Sequence, residues 1–480
     1  HTGGFLMSMF TFNIDTHSGV HIYTQIYQYI RHEIESGRLA CHAKLPSTRG
    51  LAAHLQVSRN TVDMAYGQLM DEGYIEAMPK RGYFVCDIEN LMPPLACGNH
   101  PDNYAPAGKE TDEGMYTFSP YGVDLENFPF NTWRKIAKDI LYNGQNTVLF
   151  QAGPSCGDQD FREAIAGYLH QSRGVSCSPD QIIIGAGADY LLILLTQLLD
   201  AESIYAIEDP SYMQAYKTLA SLGKKTCPVP LDKNGMDIDK LRQSGAGIAY
   251  VTPSHQFPLG IIMPIKRRLE LLRWAYENEN RYIIEDDYDS EFRYKGKPVP
   301  SLQGIDRHGR VIYAGTFSKA IAPSIRISYL VLPPSLLEKY RQRLSYLANT
   351  VARTEQKQMT EFIVRGYFER HLNRMRNIYK SKRDYILQQL APYGSRVTVS
   401  GENSGLHMLL TFNDGRSAQD ILLAAQKANI RLFDLSSYYI RPEHCTLPNT
   451  VILGYGALSE KRLKIQMPLL CSALFDSQLD

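Results

Sequence analysis

Val311 to Arg326 reads V-I-Y-A-G-T-F-S-K-A-I-A-P-S-I-R, and the fold turns on how this stretch is read. The β-branched opening, Val311-Ile312-Tyr313, predicts a short strand ending at Ala314-Gly315. A hydroxyl-bearing turn follows, with Thr316 and Ser318 on either side of Phe317, then Lys319 and, further on, Arg326. A strand aims such a turn, and two hydroxyls with a guanidinium suit a phosphate. A lysine amine held beside them can form a Schiff base with a carbonyl cofactor. The alternative is a strand, turn and helix whose lysine is merely solvated, because S-K dipeptides are common.

The totals set bounds. With 480 residues the chain exceeds one ordinary core, so two or three domains are expected. At 44% apolar and 21% charged residues the composition is globular. A formal net charge of +1 means that any nucleic-acid contact comes from local patches. The cysteines at 41, 86, 97, 156, 177, 227, 445 and 471 form no C-x-x-C, which argues against a zinc site or a disulfide framework. Reduced thiols in a cytoplasmic protein fit best, and no metal is expected. No apolar run approaches the ~20 residues of a membrane span, so no membrane partner is expected. The opening H-T-G-G-F-L-M-S-M-F is too short and uncharged for a signal peptide and is expected to precede the native start.

Residues 20–86 predict a small domain of their own. Ile22, Ile26, Tyr29, Ile30 and Ile34 recur at helical spacing until Gly37. Ser47 or Thr48 can cap a short helix through Leu55, and Ser58 a second helix to about Glu72. Val62, Ala65, Tyr66, Leu69 and Met70 give that second helix one apolar face. Arg59, Asn60 and Thr61 then cluster at its N-terminal end, the helix-turn-helix geometry for reading base edges. Tyr74–Glu76 and Tyr83–Val85 predict a hairpin around Met78-Pro79-Lys80-Arg81-Gly82, a basic wing suited to phosphate or the minor groove. Seven Lys+Arg face six Asp+Glu over 21–86, so the placement of the charge favours DNA, not its total. The plainer alternative is a helical packing domain with ordinary surface charge.

The run L-P-S-T-R-x-L-A-x-x-L-x-V-S-R-N-T-V-x-x-A-Y-x-x-L resembles the winged helix of the GntR family of bacterial repressors, over Ile22 to Val85. The resemblance implies that Ser47, Arg49, Ser58, Arg59, Asn60 and Thr61 approach double-stranded operator DNA, with Lys80, Arg81 and Gly82 of the wing. Residues 87–115, with Pro93, Pro94, Pro101 and Pro106 and no apolar periodicity, are expected to form an extended linker.

Over 116–480 strands alternate with helices. Gln181–Ile184, Ser203–Ile207, Ile248–Val251, Arg281–Glu285, Val311–Tyr313 and Tyr329–Leu332 are the strand candidates. Helices are expected over Tyr190–Leu199, Tyr212–Leu222 and Pro264–Asn278. The alternation predicts an α/β domain with a mostly parallel sheet and ligands beyond its carboxyl edge. Gly185-Ala186-Gly187-Ala188-Asp189 opens a helix whose amides can cradle phosphate, although an isolated G-x-G is more often a plain turn. Glu285, Asp286, Asp287 and Asp289 crowd four carboxyls at one strand end, which calls for a cationic partner: a pyridinium nitrogen or, less well supported without histidine spacing, a divalent metal. Glu208-Asp209-Pro210-Ser211-Tyr212 adds an aromatic plate.

With T-P-S-H-Q-F-P-L-G at 252–260, R-Y-I-I-E-D-D-Y-D-S-E-F at 281–292 and G-T-F-S-K at 315–319, this region resembles the fold type I pyridoxal-phosphate enzymes, the aminotransferase superfamily. Joined to the winged helix, the chain resembles the MocR subfamily of GntR regulators from about residue 20 to 470. By that resemblance Lys319 forms the Schiff base with pyridoxal 5'-phosphate. Asp286 pairs with the ring nitrogen, Tyr288 hydrogen-bonds the ring hydroxyl and Tyr212 stacks on the ring. Gly187, Ala188, Asp189, Thr316, Ser318 and Arg326 gather the phosphate.

Departures from the pattern are informative. Phe257 stands where aminotransferases carry an asparagine facing the ring hydroxyl, and Ala188 lacks a hydroxyl often found there. Gln214 and Ser437 stand where the GABA-responsive member has arginines for the effector carboxylate. Loss of such a charge-assisted bond costs about 1.5–3 kcal/mol, so GABA is not the expected effector. Arg353 is a candidate substitute anchor, against the simpler reading of a surface arginine. The expectation is a homodimeric transcription regulator that senses an amino compound or pyridoxal phosphate. The alternative is a working aminotransferase with a DNA-binding appendage.

Overall fold

A computed structural model describes residues 14–15, 19–87, 115–142, 146–295 and 299–476. The expected linker lies outside the described residues except at its two ends. The chain divides into two compact units, His1–Thr111 and Asp112–Asp480.

The first unit comprises α1 (Ile22–Glu35), α2 (Thr48–Leu55), α3 (Arg59–Asp71) and the hairpin β1 (Ile75–Met78) and β2 (Gly82–Val85). Serines start the two short helices. Ser47 Oγ accepts from Gly50 N and Ser58 Oγ from Thr61 N, each at 3.1 Å, a capping bond worth about 1 kcal/mol. Ile26, Ile30, Leu51, Val62, Ala65, Tyr66 and Leu69 form the core, and Tyr66 donates to the Pro46 carbonyl at 3.0 Å. The hairpin pairs Ile75 with Val85 through Met78 with Gly82, reaching nearer its tip than the sequence pattern suggested.

The second unit is built on eight strands: β3 (Ile182–Gly185), β4 (Tyr205–Asp209), β5 (Thr226–Asp232), β6 (Gly235–Met236), β7 (Ile248–Val251), β8 (Tyr282–Asp287), β9 (Val311–Thr316) and β10 (Ser328–Val331). Their order is β3-β10-β9-β8-β7-β4-β5-β6. From β9 through β8, β7 and β4 to β5 all neighbours are parallel, while β10 and β6 run antiparallel to theirs. Alternate residues face opposite layers. Ile183, Ile284, Ile312 and Leu330 meet the leucines of α4 (Ala188–Leu198), whereas Ala249, Val251, Ile283 and Val311 meet Leu271 and Trp274 of the helix Ile265–Tyr276. The turn after β9 leads to a short 3-10 segment, Pro323–Ile325, instead of a helix.

A C-terminal lobe adds the antiparallel strands Val397–Ser400, His407–Phe412, Thr450–Gly454 and Phe433–Asp434, backed by the helices Tyr367–Leu390 and Glu460–Cys471. It pins the segment 118–124, which reaches the site described next. Gly454 N donates to Phe118 O at 3.0 Å, and Asp124 N to the Tyr379 hydroxyl at 3.0 Å. Lys382 Nζ donates to Asp124 Oδ2 at 2.7 Å with both side chains at most 2% exposed. Removing one partner strands a buried charge, so Lys382→Met is expected to cost about 3–5 kcal/mol in denaturant unfolding of the second unit. Lys382→Met combined with Asp124→Leu is expected to recover part of that loss.

Candidate functional site

The parallel register of β8 and β9 sets Asp286 opposite Ala314 and Asp287 opposite Gly315, so the acidic strand end and the Lys319 turn share one edge of the sheet. Here lies a cavity of about 240 Å³. Ala188, Asp189, Tyr212, Asp286, Tyr288, Thr316, Ser318, Lys319 and Arg326 all line it. Gly187 stands just behind, with φ 102°, and a Cβ there would lie 2.2 Å from the Arg326 guanidinium. The positive φ is one that L side chains rarely adopt, so glycine is favoured there.

Protein partners sort the four crowded acids. Glu285 accepts from the Leu302 and Gln303 amides at 2.7 and 2.8 Å. Asp287 takes the buried Arg173 guanidinium at 2.7 Å and the Tyr313 hydroxyl at 2.5 Å. Asp289 lies against His255. Asp286 alone of the four lines the cavity; Tyr250 donates to it from behind. Burial, with Asp287 and Asp289 adding repulsion, pushes its carboxyl up to about 7, so a cation on the cavity side would be strongly favoured. Among the described residues, Cys41, His42 and Asp87 of the first unit are the group of three close enough together to hold a metal ion.

The Lys319 amine is held by backbone. Nζ donates to the Tyr121 carbonyl at 2.9 Å and the Pro120 carbonyl at 3.2 Å, and lies 5.7 Å from the Tyr121 ring centre. Burial brings it down to about 8, against the attraction of Asp289, which leaves a nucleophilic fraction at neutral pH. At the opposite end, Thr316 Oγ1 accepts from Ser318 N at 3.2 Å and Ser328 Oγ at 2.9 Å. Arg326, in the left-handed region at φ 51°, lies 3.5 Å from Asp189 and is half exposed. With the amide-bearing start of α4 these groups favour an anion. A cation-seeking carboxyl, an amine, an aromatic plate and an anion cradle in one cavity fit a phosphorylated pyridine aldehyde.

Other residues at the site were not legible as such. Tyr121 and Pro323 also line the cavity, and Phe257, noted only as a departure, faces it within 6.0 Å of Tyr212. Tyr250 and the Pro120 carbonyl act from remote segments. The turn-like S-P-Y-G at 119–122 was the one available signal for Tyr121. Arg353 is held elsewhere: Nε donates to both Asp158 oxygens, at 2.9 and 3.0 Å, and the guanidinium also reaches the Val148 carbonyl. Gln214 and Ser437 are exposed.

In the first unit Ser58, Arg59 and Asn60 are exposed at the start of α3, with Thr61 half-buried and Arg59 3.4 Å from Asp63. Ser47, Ser58 and Thr61 also serve the helix starts. Arg49 is exposed beside them, and Lys80 and Arg81 are exposed at the hairpin tip, where Gly82 has φ 107°. Lys44 joins this tip: it bridges to Phe84 and its Cε lies 3.4 Å from where a Gly82 Cβ would stand.

Residues 22–85 match the bacterial regulatory proteins of the gntR family, and residues 120–467 match aminotransferase class I and II. The uncharacterized HTH-type transcriptional regulator YdeL of Bacillus subtilis (strain 168) is 41% identical over 446 residues, 92% of this chain and 94% of that one. The probable rhizopine catabolism regulatory protein MocR of Rhizobium meliloti is 32% identical over 471 residues, covering 94% and 93%. An archaeal alanine:glyoxylate aminotransferase superposes with a TM-score of 0.67 at 25% identity, over 76% of this chain and 91% of that one. An aminotransferase fold implies dependence on pyridoxal phosphate, and a GntR helix-turn-helix implies DNA binding. The chain therefore belongs to the MocR-type transcription regulators, in which a GntR helix-turn-helix is joined to an aminotransferase domain.

Proposed function

We propose that this regulator holds pyridoxal 5'-phosphate on Lys319 and senses an amino compound, or the cofactor itself, at that cavity. The observation that carries the reading is the meeting of Lys319, Asp286 and Arg326, groups suited to the aldehyde, the ring nitrogen and the phosphate of such a cofactor, on the walls of one cavity. Asp286 holds a proton on the ring nitrogen, Tyr212 covers the ring face and Tyr288 meets the ring hydroxyl. Thr316, Ser318, Arg326 and the amides of Gly187, Ala188 and Asp189 take the phosphate, with the Asp189 carboxylate steadying Arg326. The bound cofactor would supply an electrophilic carbon to any primary amine that enters. Tyr121 and Phe257, 5.8 Å apart ring to ring, narrow the space beside Lys319.

Ligand binding controls transcription only if it favours one of two arrangements over the other. Ser47, Arg49, Ser58, Arg59, Asn60, Thr61, Lys80, Arg81 and Gly82 meet the operator, acting in the cytoplasm. A homodimer is supported by apolar side chains left exposed on neighbouring elements: Leu141, Tyr142, Val148, Phe150 and Val364. Phe257, in place of a polar partner for the ring hydroxyl, favours sensing over turnover.

Borohydride reduction of cofactor-loaded protein is expected to leave a pyridoxyl group on the Lys319 peptide alone; an unlabelled Lys319 peptide refutes the assignment. Since the attacking amine must be neutral, the rate of cofactor uptake by apo-protein should rise with pH and level off above about 8, far below an ordinary lysine. Stopped-flow absorbance reads this. A panel of amino donors should give no steady-state keto acid, and sustained production would establish the aminotransferase alternative. Arg81→Ala should weaken operator and non-operator DNA alike and lower the slope of log K against log salt by about one, in fluorescence anisotropy.

A further inference from the structure

The turn between α1 and α2 carries two metal-ligating side chains in succession, Cys41 and His42. Ala43 N donates to Ala40 O at 3.0 Å and closes the turn, with His42 held in the left-handed region at φ 61°. The residues that follow run antiparallel to β2. Lys44 bridges to Phe84, Leu45 N donates to Tyr83 O at 2.9 Å, Val85 N to Ala43 O at 3.0 Å and His42 N to Val85 O at 2.9 Å. On the β1 side of the strand, Cys86 N donates to Tyr74 O at 2.9 Å. This pairing brings the chain just beyond β2 back beside the turn, and Asp87 lies there.

The thiol sulfur, an imidazole nitrogen and a carboxylate oxygen of these three residues all lie within 4.8 Å of one another. Around a tetrahedral zinc ion, with bonds of about 2.0–2.3 Å, neighbouring ligand atoms stand roughly 3.3–3.8 Å apart. Contraction by about 1 Å needs only side-chain rotation. His42 and Asp87 are exposed and Cys41 is half-buried, so that rotation is open to them. One thiolate, one imidazole and one carboxylate suit zinc, cobalt or nickel, whereas magnesium and calcium take oxygen donors. Three protein ligands leave a fourth position to water, which makes this an open site and not a closed structural one. Cysteine spacing does not mark it, because a single thiol takes part and Asp87 comes from far along the chain.

We propose that Cys41, His42 and Asp87 bind a divalent ion of the zinc class, which ties the chain leaving β2 to the turn before α2. The ion stiffens the base of the hairpin whose tip carries Lys80 and Arg81. The inference concerns the first unit alone and is independent of the cofactor reading.

The probe is Co2+, added to the full chain after chelator treatment and read as difference spectra against the metal-free protein, so that cofactor absorption cancels. One equivalent per chain is expected to produce a thiolate-to-cobalt charge-transfer band together with the visible bands of a four-coordinate ion, and Zn2+ should displace it. Cys41→Ser should abolish the charge-transfer band, while Cys156→Ser, in the second unit, should leave it unchanged. Loss of outer-shell partners alone weakens metal sites roughly 10–100-fold, so His42→Asn and Asp87→Asn should each weaken Co2+ binding by at least about tenfold. Asparagine tolerates the left-handed backbone that His42 adopts, so the variant keeps the turn. A band that survives Cys41→Ser, or an affinity that neither His42→Asn nor Asp87→Asn lowers, marks an adventitious ion only and overturns the proposal. The absence of any band at one equivalent overturns it as well.

Discussion

One alignment of two strands governs what this cavity can do. With β8 parallel to β9 and Asp286 opposite Ala314, an acid and a lysine far apart in sequence are delivered to the same sheet edge. Burying four carboxyls there is costly unless each finds a partner. Arg173, the amides after Ser301, and His255 satisfy three of them within the protein. The fourth is left with one hydroxyl, from Tyr250, and an open side. The unmet demand for positive charge is concentrated at a single carboxyl, and that gives the cavity its polarity.

The second constraint comes from the far end of the unit. Two glycines of the C-terminal lobe let the segment 118–124 pass where no side chain could stand: a Cβ on Gly454 would lie 2.1 Å from the Ser119 carbonyl, and one on Gly456 2.2 Å from that of Gly122. Lys382 and Tyr379 fix Asp124 at the end of the same segment. Lys319 therefore meets neutral carbonyls, not a carboxylate, and its amine stays easily deprotonated. A direct acid partner would have raised it instead.

Much of this was legible in advance because it is local. The runs Ile283-Ile284 and Val311-Ile312-Tyr313, the serine caps at 47 and 58 and the glycine before α4 each announce their own conformation. The strand β5 did not, since Pro228 and Pro230 read as breakers. Over Thr226–Pro230 it pairs only with β4, and such a one-sided position tolerates them. Tyr250, Tyr121 and the Pro120 carbonyl were invisible for a different reason: each acts across a long stretch of sequence, and nothing in its immediate neighbours marks it. The partners of the acids were foreseen as a need for cations, but that need was met mainly by Arg173 and by backbone amides rather than by a ligand.

The two constraints meet at the lysine amine. While that amine is free it is bonded to the carbonyls of residues 120 and 121, close to the point where the chain enters the second unit. Any chemistry that changes the bonding of Lys319 must break or remake those two hydrogen bonds. Each is worth about 0.5–1.5 kcal/mol net, a small term set beside the carboxyl that must be neutralised across the cavity. Whatever alters the amine is therefore met first by the segment 118–124, which carries both carbonyls. The demand for positive charge and the hold on the amine are thus separated across the cavity, one at Asp286 and the other on the segment 118–124.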